Sequence, residues 1–144
     1  MIVPDVNLLL YAYNADAPQH ASAKQWLEGL FSGDETIALP WMTVWGFIRL
    51  STNPRVWPNP MSPETAFDVV RSWLAEPGVV LLEPGPRHLE LLQKLAIDHQ
   101  AAGRMLTNAA LAALAIEYGA TVASSDHDFR RFSGLRLVNP LALV

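Results

Sequence analysis

The chain has 144 residues, the size of one domain, and 51% of them are hydrophobic, so it can bury a core unaided and is not a disordered segment. It has no cysteine, which excludes disulfides and thiolate metal sites, and a net charge of −4, unlike a basic nucleic-acid binder of the usual kind. It shows neither a secretory leader nor an apolar run of the ~20 residues a membrane span needs, so a soluble cytoplasmic chain with one domain over residues 1–144 is expected. The acidic balance leaves a metal-assisted nuclease open, because a cation supplies positive charge at the site. Arg49, Arg55 and Arg130-Arg131 are candidates for local basic patches.

In chain order, the apolar run at residues 1–5 reads as a strand that ends on Asp5. Residues 7–14 and 18–31 read as helices, the second opened by Pro18 at its first turn and carrying Ala23, Trp26, Leu27, Leu30 and Phe31 at helical spacing. A second strand covers 36–39 and a helix 41–51. The prolines at 54, 58 and 60 make 52–61 a loop. Ser62-Pro63 starts a helix that Pro77-Gly78 ends. Residues 79–82 form a third strand, 86–101 a helix, and 107–118 an Ala/Leu-rich helix with Gly119 past its end. Strands at 120–123 and 135–138 complete the series. Strands alternating with helices predict an α/β fold: a parallel sheet of four to five strands, helices on both faces, and the first strand central.

Two strand ends, far apart in sequence, each deliver Asp to an edge: Asp5, and Asp126 with Asp128 in Ser124-Ser125-Asp126-His127-Asp128. In a parallel sheet the carboxyl ends of strands share one side, so these side chains would converge there. Converging carboxylates repel unless a cation lies between them, and Mg²⁺ or Mn²⁺ prefers such oxygen ligands. Each residue also has a plainer reading. Asp5 suits the N-cap of the helix that follows, and Asp126 and Asp128 suit a turn. Asn7 would aim a second polar group above the first strand. Asn108, or Thr107 before it, would cap the helix at 107–118 unless Asn108 lies over the same edge as Asp5. The histidines show no zinc spacing, and His88 and His99 fall on what reads as a solvated helix face. Trp41, Val44, Trp45 and Ile48 share a helical face suited to packing, whereas Trp57, in the Pro-rich loop, is expected to be exposed.

Several stretches together resemble the PIN-domain ribonucleases of the VapC type, found in bacterial toxin–antitoxin pairs. They are Asp5-Val6-Asn7, Leu39-Pro40-Trp41 through Gly46-Phe47 to Arg55-Val56, Leu106-Thr107-Asn108 through Ala115, Ser124-Ser125-Asp126-His127-Asp128-Phe129, and Val138-Asn139-Pro140-Leu141. The resemblance implies a three-layer PIN-like fold and an endoribonuclease site with Mg²⁺ or Mn²⁺. It further implies an RNA substrate, a VapB-type antitoxin that neutralises the activity, and a homodimer. In that pattern Asp5, Asn108, Asp126 and Asp128 are the catalytic positions, with Asp5, Asp126 and Asn108 as metal ligands. Asn7 and Ser124 support them, Ser124 as a hydroxyl bonded to a site carboxylate. The chain departs from the pattern twice: Gly46 stands where the family has Glu, and Asn108 where it has Asp. Asn keeps a carbonyl oxygen but lacks the charge and cannot act as a base. These departures motivate a second hypothesis, a scaffold that binds antitoxin or RNA without efficient cleavage. A phosphotransfer site would need a second Asp two positions after Asp5, where Asn7 stands.

Overall fold

The computed structural model describes residues 1–142. Its elements run β1 (Ile2–Pro4), α1 (Val6–Tyr13), α2 (His20–Ser32), β2 (Ile37–Pro40), α3 (Trp41–Ser51), α4 (Pro63–Leu74), β3 (Val79–Leu82), α5 (His88–Asp98), α6 (Met105–Glu117), β4 (Thr121–Ala123), a 3-10 helix (His127–Arg131) and β5 (Arg136–Val138). The five strands pair in parallel in the order β3-β2-β1-β4-β5. β1 is central, as its two-sided apolar run requires.

Residues alternate between the two faces of the sheet with the two-residue period of a strand. Ile37 and Leu39 of β2 join Leu9, Leu27, Phe47 and Trp73 in a core built from α1 to α4. Ala38 of the same strand, with Val3, Leu82 and Val122, joins a second core built from α5, α6 and the 3-10 helix. The first core holds a knot of three rings: Phe47 and Trp73 at 4.6 Å, each 5.8 Å from Tyr13, and the Trp73 indole N–H donates to the Tyr13 hydroxyl at 2.8 Å. No described helix is long and apolar enough to cross a membrane.

The start of α4 follows the local chemistry. Ser62 caps α4 by accepting the Thr65 N–H at 3.1 Å, with Pro63 in the first position. Three starts differ from expectation by two residues, among them α5, which begins at His88 after a turn at Pro86-Arg87. Pro18 lies in a turn, and α2 begins at His20, whose Nδ1 donates to the Tyr11 carbonyl at 2.9 Å and ties α2 to α1. α6 begins at Met105, two residues before the expected start, so neither Thr107 nor Asn108 is its N-cap. Met105 packs against the second core, and burial of its side chain outweighs the capping preference of the polar pair.

Three aromatic or histidine expectations are corrected. Trp57 is only 4% exposed: its N–H bonds the Asn53 carbonyl, and the turn tucks the indole into the first core. The α3 face divides, with Val44 buried but Trp41 and Trp45 exposed by 37% and 64%. His88 and His99 are half-buried rather than solvated. The Nδ1 of His88 is buried without a hydrogen-bond partner, and Nε2 of His99 accepts the Ser133 N–H at 3.4 Å.

Candidate active site

The pairing of β1 with β4 sets the site. The register Val3↔Val122 and Pro4↔Ala123 continues through the Asp5 N–H, which donates to the Ala123 carbonyl at 2.8 Å. Asp5 and Ser124 therefore leave adjacent strands side by side at the carboxyl edge. On the other side of β4, the Ser124 N–H donates to the Val138 carbonyl at 2.9 Å and ties the same edge to β5.

Ser124 is buried, and its hydroxyl makes two bonds. It donates to Oδ2 of Asp5 at 2.8 Å and accepts the backbone N–H of Asp126 at 3.0 Å. Asp126 in turn accepts the Asp128 N–H through Oδ1 at 2.9 Å and caps the 3-10 helix. The expected N-cap role of Asp5 is met only in backbone geometry. Its φ and ψ are extended, as an N-cap requires, but its carboxylate closes no capping bond to α1 and turns across the sheet to Ser124.

This environment disfavours the charged form of Asp5. Burial pushes its pKa above the ordinary 3.8, and the negative charge of Asp126 pushes the same way. The Ser124 hydroxyl opposes the rise, as do the N–H groups of Val6 and Asn7, which lean toward the carboxylate. Two carboxylates close enough to repel, one of them only 7% exposed, form an arrangement that a cation would relieve. Both donors are hard oxygens, the ligands Mg²⁺ and Mn²⁺ prefer, so the residues present fit such an ion.

The other predicted positions contribute less. Among the described residues no third His, Cys, Asp or Glu joins Asp5 and Asp126 in a group suited to a metal. Asp128 is exposed, and only its backbone N–H engages Asp126. Asn7 is half-buried in the first turn of α1, and its amide has no described partner. α6 leads through Gly119 directly into β4, so its first turn, with Asn108, lies at the carboxyl edge of the sheet. The only described bond of the Asn108 side chain there is a weak one, Nδ2 to the Met105 sulfur at 3.9 Å. At Gly46, a Cβ would lie 3.5 Å from Cγ2 of Val6, the residue after Asp5. A longer side chain at position 46 would thus emerge beside the start of α1.

Sequence reasoning did not anticipate a small polar recess next to the carboxylates, with a cavity volume of about 130 Å³. Ser125, Asp126, His127, Arg130 and Asn139 line it, together with Ser124 and Leu137. The signal was present in pieces, Arg130-Arg131 as a basic pair and Val138-Asn139-Pro140 as a motif. Only the β4–β5 pairing joins them.

Residues 2–135 match the PIN domain family. The chain is 42% identical over 141 residues to "Ribonuclease VapC33" of Mycobacterium tuberculosis, covering 98% of this chain and 99% of that protein. It is 37% identical to "Ribonuclease VapC37" of the same species over the full length of both. Its fold is similar to that of VapBC2 from Rickettsia felis bound to a promoter DNA fragment, with a TM-score of 0.70 and 19% identity over 96% of this chain and 98% of the other. It is also similar to Mycobacterium tuberculosis VapC20, described as a sarcin-ricin loop cleaving toxin, with a TM-score of 0.69 and 16% identity over 94% and 99%. The family match over nearly the whole chain, on a parallel sheet that brings Asp5 and Asp126 to one edge, establishes that this chain belongs to the PIN domain family.

Proposed function

We propose that this chain is a metal-dependent endoribonuclease toxin that cuts RNA phosphodiester bonds and is neutralised by a cognate VapB-type antitoxin. The observation that carries this reading is the buried bridge from Asp5 through the Ser124 hydroxyl to the backbone of Asp126. It holds two carboxylates at the carboxyl edge of a parallel sheet, where α/β proteins place their ligands. The ribonuclease names of relatives at 37 to 42% identity support the same reading.

On this reading Asp5 and Asp126 would hold Mg²⁺ or Mn²⁺, with Asn108 as a neutral third ligand. Such a cation supplies acidified water as the nucleophile and neutralises charge building on the phosphoryl group. Ser124 fixes the rotamer of Asp5 and pins the turn that carries Asp126. Asp128 and Asn7 remain auxiliary polar groups around the entrance.

The test is cleavage of RNA with Mg²⁺ or Mn²⁺ by the unaltered chain, by Asp5→Ala and by Asn108→Asp. Loss of turnover in Asp5→Ala and a gain in Asn108→Asp are expected, because the added charge strengthens a hard-cation site. Cleavage by Asp5→Ala at the parent rate would remove the assignment. A second reading is favoured by the lack of a third acidic residue in the described cluster: a scaffold that binds antitoxin or RNA with little turnover. Turnover by the unaltered chain separates the two.

The partner would bury apolar area. The groove between α3 and α4, lined by Trp45, Phe67 and Leu74 and flanked by Arg49 and Arg71, offers such a surface to an antitoxin segment with acidic flanks. The same reading makes the toxin a cytoplasmic homodimer.

A further inference from the structure

The polar recess, whose wall also carries the Asp126 carboxylate, holds several donors without an acceptor among the described residues. The amide oxygen of Asn139 accepts the Leu141 N–H at 3.0 Å, which leaves its NH₂ group without a described acceptor. The hydroxyl of Ser125 and the ring of His127 have no described partner, and neither has the guanidinium of Arg130. Among the described residues the ion pairs are Met1 with Glu35 and Lys94 with Asp98, so Arg130, Arg131 and Arg136 are engaged in no described ion pair. Asp126 and Asp128 are close in sequence to Arg130 but take their described bonds from backbone N–H groups, or none.

The recess is also held rigidly. Phe129 and Phe132, 1% and 3% exposed, anchor both sides of Arg130 in the second core with ring centroids 6.3 Å apart. The Ser124 N–H bond to Val138 fixes the strand that leads to Asn139. At about 130 Å³ the cavity has room for a tetrahedral anion with its water, and falls well short of the roughly 300 Å³ of a small-molecule pocket. An arginine fork and neutral donors around a cavity of that size match a phosphate.

We propose that this recess binds a phosphate of the RNA strand next to the bond being cut, with Arg130 supplying the charge and Asn139 and Ser125 neutral donors. Arg130 is then a positioning residue: it seats the strand so that the scissile phosphate falls on the Asp5–Asp126 centre. This rests on the ribonuclease reading and goes beyond it, because none of these residues belongs to the carboxylate set.

The test separates binding from turnover. Binding of a short fluorescein-labelled single-stranded RNA is followed by anisotropy in an Asp5→Asn background, which removes one of the two repelling charges and prevents cleavage. Arg130→Gln should weaken binding roughly tenfold, the size of one charge-assisted contact, and lower the salt slope of log Kd by about 0.7. Arg130→Lys should restore part of the affinity, and Lys24→Gln, on the exposed side of α2, should change neither quantity. In the otherwise unaltered chain with Mn²⁺, Arg130→Gln should raise KM about tenfold and leave kcat within about twofold. If Arg130→Gln binds RNA as Lys24→Gln does while the unaltered chain still cleaves, the recess assignment falls and the ribonuclease reading stands. If the unaltered chain neither binds nor cleaves RNA, both fall together.

Discussion

Replacing Asp5 by Asn should stabilise the protein while abolishing its chemistry. Above its raised pKa Asp5 carries a charge that burial and Asp126 both oppose. Asn keeps the size and an oxygen able to accept from Ser124, but that bond changes from charge-assisted to neutral, a loss of about 1 kcal/mol. Removing an ion that is 7% exposed returns more, since desolvation costs several kcal/mol per ion even after relaxation. The net is a gain of about 1–2 kcal/mol, or roughly 3–6 °C in melting midpoint for a chain of this size. The gain has a defined pH dependence. Folding raises the pKa of Asp5 above 3.8, so the folded chain binds the extra proton between that value and the raised one. The stability of the parent at this residue is fully present below 3.8 and is lost as pH rises through the folded pKa. The advantage of Asp5→Asn should thus be complete above the raised pKa and disappear as pH falls toward 3.8. Thermal unfolding of both proteins in EDTA across that range measures it. A less stable variant at neutral pH, or an advantage that ignores pH, would refute the reasoning. Adding Mn²⁺ should narrow the gap from the other side, because a cation that binds the folded parent stabilises it by mass action.

Ser124→Ala strips Asp5 of its hydroxyl donor and leaves the Asp126 N–H without its acceptor, so it should cost about 1–3 kcal/mol in urea unfolding at neutral pH and depress RNA cleavage. A loss below about 0.5 kcal/mol would show that water replaces the hydroxyl freely. Gly46→Ala should stabilise by about 1 kcal/mol, since Gly46 lies inside α3 and the new methyl meets Val6 at ordinary contact distance. A destabilised variant would mean that α3 and α1 pack too closely at that point.

The frame of this fold was legible because strands alternate with helices along the chain, and β1 and β2, buried at the centre of the sheet, read as short apolar runs, whereas β3 and β5 at its edges are largely exposed. The choice of Asp5 and Asp126 as partners was legible too, since it needs only the rule that parallel strands end on one side. Side-chain direction was harder to read. Local chemistry makes Asp5 a helix cap, but its bonding partner is Ser124, 119 residues away; no local propensity contains that contact, and it was the family resemblance that pointed to a hydroxyl at position 124. The start of α6 was misread because Thr107 and Asn108 advertise a cap while burial of Met105 sets the boundary. Trp57 was misread because prolines signal a loop and say nothing of which way its one large ring turns. The recess around Arg130 needs residues on both sides of the β4–β5 pair, so it exists only in the folded sheet.

The order of strands also has a consequence in time. Of the five strands β1 leaves the ribosome first, and its amino end meets β2 through a single register pair, Ile2↔Ile37. The end that bears Asp5 pairs with β4, at Val3↔Val122 and Pro4↔Ala123. Until β4 emerges, Asp5 has neither Ser124 nor Asp126 beside it, so on the ribonuclease reading a chain that stops before β4 lacks the paired carboxylates. On the ribonuclease reading the site therefore assembles only once β4 has followed β1, β2 and β3 from the ribosome, and the antitoxin can be made during that interval.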